Sequence, residues 1–183
     1  MVRHPAALAL PILLAACQGP MVTQADGHWL RVPAWYQYYA AGKTLPVEVH
    51  GQPLGFADEA AERRFADTLR VPPGYAPTRF VPAGRGDQRG FRVVYVFGAP
   101  PGMTGDRACR APRSATLGGP RAAGVVVQGA LCLDDDAVSE ARGGLVEADP
   151  AAVTRLAQLV LWELMPSDSR IRASERDAGV FPD

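Results

Sequence analysis

Residues 91–97, Phe91-Arg92-Val93-Val94-Tyr95-Val96-Phe97, decide the fold. Apart from Arg92 the run is aromatic or β-branched and apolar at both alternating sets of positions, so it predicts a strand at the centre of a sheet. Downstream, Gly98 to Ala123 is rich in Pro, Gly and Arg and contains Cys109. A loop of that length is tethered or functional. Val125 to Leu133 predicts the next strand, Asp134-Asp135-Asp136 an acidic turn, and Val138 to Val146 a hairpin partner interrupted by Gly143-Gly144. Asp149 and Pro150 then supply a cap and a first turn. Val153, Leu156, Ala157, Val160, Leu161 and Leu164 follow at helical spacing, predicting a core helix from Ala151 to Met165 that stops at Pro166.

Upstream, Tyr75 to Val81 predicts a strand, at an edge because of Pro77. Before it, Glu59 to Arg70 places Ala61, Phe65 and Leu69 on one helical face, with acidic residues leading, Arg70 closing and Val71-Pro72-Pro73-Gly74 as the stop. Leu45-Pro46-Val47-Glu48-Val49-His50 alternates with period two up to Gly51, as a strand does. The preceding aromatic cluster, Trp29, Trp35, Tyr36, Tyr38 and Tyr39, has two readings: rings at a lipid interface, or cover for one edge of the core. This order of elements predicts an α+β fold, an antiparallel sheet of four or five strands with two helices packed on one face. No internal repeat is visible.

The N-terminus carries an address. Arg3 and His4 open a stretch of about a dozen apolar residues, Pro5 to Ala16, long enough for a secretory core and too short to span a bilayer. Small residues then precede a cysteine, Leu14-Ala15-Ala16-Cys17. This run resembles the lipobox of bacterial lipoproteins, in which cleavage falls before the cysteine and its sulfur carries diacylglycerol. The resemblance implies a signal peptide over residues 1–16, a lipidated Cys17 and a membrane as the first partner. Acyl chains such as palmitate each contribute about 0.8 kcal/mol per buried methylene, so two or three hold a protein firmly. Gln18, standing where Asp would resemble an inner-membrane retention signal, favours a periplasm-facing place on the outer membrane, with the inner membrane as the alternative. Residues 17–27 then read as a tether, 28–166 as one α+β domain, and the charged residues 167–183 as a flexible tail.

With residues 1–16 removed, 167 of the 183 residues remain, enough for one domain with a proper core. Acidic and basic residues balance at 19 each, and no basic stripe alternates with aromatics, which argues against nucleic acid as a partner. With Cys17 taken as the lipidated residue, two cysteines are left, Cys109 and Cys132. An even pair in an exported chain points to a disulfide, since the periplasm is oxidising. A metal pair or a reactive thiol is the competing reading. It finds no Cys-x-x-Cys and no cysteine or histidine at ligand spacing beside either residue.

Catalytic motifs are missing from the sequence. There is no His-Glu-x-x-His, Gly-x-Ser-x-Gly, phosphate loop or dinucleotide fingerprint, and so no cofactor is expected. Of three histidines, His4 leaves with the signal, while His28 and His50 are isolated. Asp134-Asp135-Asp136 lacks the alternating oxygens and glycine of a calcium loop, and reads as a solvated turn. Arg107, Arg110, Arg113 and Arg121 of the long loop could meet an anionic lipid, or stay solvated. The stretch Leu45 to Pro166 is also similar in layout to uncharacterised proteobacterial envelope lipoproteins, through Pro46-Val47-Glu48-Val49, Val93 to Pro101, Ala108-Cys109 and Gly129 to Cys132. That resemblance implies no activity. The expectation is therefore a non-catalytic, membrane-anchored lipoprotein that binds or scaffolds another envelope component. The alternatives are a periplasmic hydrolase, which needs His50 to meet a nucleophile and a carboxylate, and a binder of small apolar or lipid ligands, which needs a cavity between sheet and helices.

Overall fold

The strand expected at residues 91–97 is present, and all seven of its residues are buried. The computed structural model describes residues 20–25, 29–51, 59–84, 89–110, 124–147 and 149–167. In chain order the elements are β1 (Met21–Ala25), a 3-10 turn (Trp29–Arg31), α1 (Val32–Tyr39), β2 (Thr44–His50), α2 (Glu59–Thr68) and β3 (Arg79–Pro82). There follow β4 (Phe91–Phe97), α3 (Gly105–Arg110), β5 (Val125–Leu133), β6 (Asp136–Leu145) and α4 (Pro150–Leu164). The strands form one sheet in the order β1-β6-β5-β4-β2-β3.

The class is α+β, and the expected details need correction. Among the described residues the sheet has six strands and is mixed, not four or five antiparallel strands, and four helices pack on it, not two. The pairs β1–β6, β6–β5 and β5–β4 are antiparallel, whereas β2 runs parallel to both of its neighbours, β4 and β3. For β3 the cause is the helix that follows β2: its ten residues return the chain to the end it started from, so the next strand repeats the direction.

The additional elements come from stretches with weak local signals. β1 lies inside the segment expected as a tether and owes its place to five paired positions along β6, from Met21 opposite Gly144 to Ala25 opposite Glu140. α1 occupies the aromatic cluster without a side-chain cap at Arg31, and is held by the burial of Val32 and Tyr36. α3 is one and a half turns within the long loop. Its apolar side faces the sheet through Ala108 and Cys109.

The two faces of the sheet are unequal. Val47, Val93, Tyr95, Val127, Leu131 and Ala141 belong to the main core, which they share with α1, α2 and α4. Val94, Val96, Ala130 and Cys132 point the other way, into a smaller cluster under α3. α4 carries the largest apolar stripe, with Leu156, Val160, Leu161 and Leu164 fully buried, and Asp149 caps it by accepting from the Ala152 N–H at 2.7 Å. Glycine lets it lie close. A side chain at Gly143 would put a Cβ 2.7 Å from the Leu156 Cδ1, and one at Gly129 would overlap Val160.

Candidate functional site

The polar residues of the sheet gather on the α3 side, because β2 presents Glu48 and His50 there while Val47 and Val49 turn to the main core. His50 Nε2 lies 2.8 Å from Glu48 Oε1, and Arg92 Nε donates to Glu48 Oε2 at 3.2 Å. The rest of the Arg92 guanidinium is spent on main chain: it donates to the Cys109 carbonyl at 2.6 Å, to that of Asp134 at 2.7 Å and to that of Gly90 at 3.4 Å. The side chain is 3 % exposed, so this is a buried charge whose donors meet a carboxylate and three carbonyls. Burial alone would raise the Glu48 pKa. The His50 hydrogen bond and the charges of His50 and Arg92 outweigh it and hold the carboxyl below the usual carboxylate range.

A second polar group sits on the same face between β5 and β6. Gln128, itself 2 % exposed, reaches Glu140 Oε2 at 3.4 Å and accepts from Arg142 at 3.4 Å. Arg142 also donates to the carbonyls of Ala99 at 2.9 Å and Pro100 at 3.2 Å, while Glu140 accepts from the Gly105 N–H. Gln128, Glu140 and Arg142, with Thr23, Pro101, Gly102 and Met103, border an open depression of about 420 Å³. A larger depression beside α2 is walled by Glu59, Arg63, Arg64 and Asp67 of that one helix and is plain surface.

Chemically, the Glu48–His50 contact is what orienting a general base requires. A nucleophile is the missing partner: among the described residues no hydroxyl or free thiol hydrogen-bonds His50. Among the described residues no buried side-chain polar atom lacks a partner. No group of three His, Cys, Asp or Glu side chains is placed to hold a metal ion among them either.

Cys109 and Cys132 are joined in a disulfide that ties α3 to β5, with Cα atoms 5.7 Å apart. Asp134 and Asp135 form the two-residue turn between β5 and β6, and the Asp134 carboxylate accepts from the Gly90 N–H at 2.9 Å. Arg110, still 60 % exposed, lies 3.9 Å from Asp106 and 4.0 Å from Asp136. Cys17, His28, Arg113, Arg121 and the tail at 168–183 fall outside the described residues. Sequence reading passed over Glu48, Arg92, Gln128, Glu140 and Arg142. One signal was there to be used: Glu48 and His50 alternate with apolar residues on a strand, and Arg92 and Gln128 interrupt otherwise apolar runs. No family model, curated protein or solved structure matches the chain, and its functional reading rests on its own residues.

Proposed function

We propose that the protein is a lipid-anchored envelope lipoprotein, attached through Cys17 and facing the periplasm from the outer membrane, which binds or scaffolds another envelope component without catalysis. The observation that carries this reading is the apolar run ending in Leu14-Ala15-Ala16-Cys17. Three features support it. The Cys109–Cys132 disulfide suits an oxidising compartment. No helix among the described residues is long and apolar enough to cross a membrane, which is compatible with an anchor at the N-terminus. The buried polar groups serve the fold, each engaged with neighbouring carbonyls and side chains.

The test is substitution of the anchor. In cells fed a labelled fatty acid, the wild-type chain should incorporate label and Cys17→Ala should not, accumulating as precursor or soluble form. Label retained in Cys17→Ala would refute the anchoring. Co-purification of the lipidated protein from membranes then identifies what it binds.

A further inference from the structure

We infer that the end of the sheet bearing Met21 and Val146 rests against the lipid bilayer, so that the sheet stands on the membrane with its Phe91 end pointing away. The inference rests on the lipid-anchor reading and adds an orientation to it. A chain covers at most about 3.3–3.6 Å per residue, so the four steps from Cys17 to Met21 span no more than about 14 Å. Met21 is not free to drift from there, because β1 is locked to β6 at five consecutive positions. An acylated Cys17 at the acyl boundary therefore holds this end of the sheet within about 14 Å of it, of which the polar layer of that face takes up roughly 5–7 Å.

The surface at that end suits a lipid contact. Met21 is 77 % exposed and lies opposite Gly144; Val146, 59 % exposed, follows the last residue of β6. These are two of the most exposed large apolar side chains among the described residues, and both are at the end where the chain leaves toward Cys17. Glu147 and Asp149 stand next to them and are exposed, so the contact favours zwitterionic over strongly anionic headgroups. Arg110, by contrast, lies near Asp136 at the start of β6, the far end of a strand about 30 Å long. Tyr38 marks that far end too. It is 71 % exposed and its ring meets Tyr39, which stacks on Phe91 at the first residue of β4.

The experiment uses the full lipidated chain in vesicles of phosphatidylcholine and phosphatidylethanolamine. Val146→Cys and Tyr38→Cys are each labelled with a polarity-sensitive fluorophore under non-reducing conditions, and the vesicles carry nitroxide-labelled lipid as quencher. Quenching several-fold stronger at position 146 than at 38 is the expected result. Equal quenching, or none at 146, overturns the orientation and leaves Met21 and Val146 to a protein partner. Mass analysis of the N-terminal peptide from the same sample separates the two layers of the argument. A Cys17 without lipid refutes the anchor and the orientation together, whereas a lipidated Cys17 with no preference for 146 refutes the orientation alone.

Discussion

Arg92 joins more of the molecule than any other polar side chain described above, since it reaches β2 through Glu48, α3 through Cys109 and the β5–β6 turn through Asp134. Glu48 is the anionic half of that junction, and its lowered pKa sets a direction for stability. A carboxyl that holds its proton less tightly in the folded chain than in the unfolded one stabilises the fold above the unfolded value of about 4.3. That contribution fades as pH falls through the folded value. Glu48→Gln should therefore be less stable than wild type at neutral pH, by about 1–3 kcal/mol as for other buried charged hydrogen bonds. The gap should narrow as pH falls below about 4.3 and close only below the lowered folded value, where the wild-type carboxyl is protonated as well. Denaturant midpoints of both proteins across that range would measure it, and a gap independent of pH would contradict the assignment. None of this pairing was legible in sequence, because the contact between residues 48 and 92 depends on β2 lying parallel to β4. The cysteine pair was easier: only two thiols remained to consider in the proposed mature chain.

At the scale of elements, legibility followed the strength of local periodicity. α4, β4, β5 and β6 were all expected within a few residues of their observed bounds, since a broad apolar stripe or an unbroken apolar run is a local property. α4 gives the plainest stability test. Leu156 and Leu161 have no exposure, so Leu156→Ala or Leu161→Ala should cost about 2–5 kcal/mol in a denaturant titration. A loss below about 0.5 kcal/mol, usual for surface positions, would mean the stripe is open to a partner. The junction of α2 with α4 had no local signal. There Gln158 accepts from the Arg70 N–H at 2.8 Å and donates back to its carbonyl at 2.7 Å, with Trp162 donating to the same carbonyl at 3.0 Å. Polar residues in a helix read as solvent-facing until a neighbouring helix end arrives to use them. The direction of β3 was missed for a similar reason. Strand, helix, strand is compatible with a crossover, and choosing it requires knowing which edge of β2 is free.

For the whole molecule, the two faces of the sheet have different sources of cohesion. One side is closed by three helices over a continuous apolar core, while the other relies on six residues of α3, the disulfide and the polar groups around Arg92 and Arg142. Removing the covalent tie should be felt as a loss of roughly 3 kcal/mol on the chain-entropy account, for cysteines 23 residues apart. Cys109→Ala with Cys132→Ala should lower the unfolding midpoint accordingly, and a non-reduced digest of the wild-type protein should contain the linked peptide pair. Two alkylatable thiols in the native protein would contradict the bond.

The pairing of the first strand with the sixth has a consequence in time. Thr23 hydrogen-bonds to Arg142, 119 positions further along the chain. At synthesis rates of about 5–20 residues per second, β1 waits on the order of 6–24 s before its neighbour exists. Throughout that interval the segment beside Cys17 has no strand to bind. If Cys17 is acylated as proposed, the modifying enzyme would meet an unpaired peptide instead of a closed sheet edge and would need no unfolding step. The first strand to be made thus has its neighbour among the last.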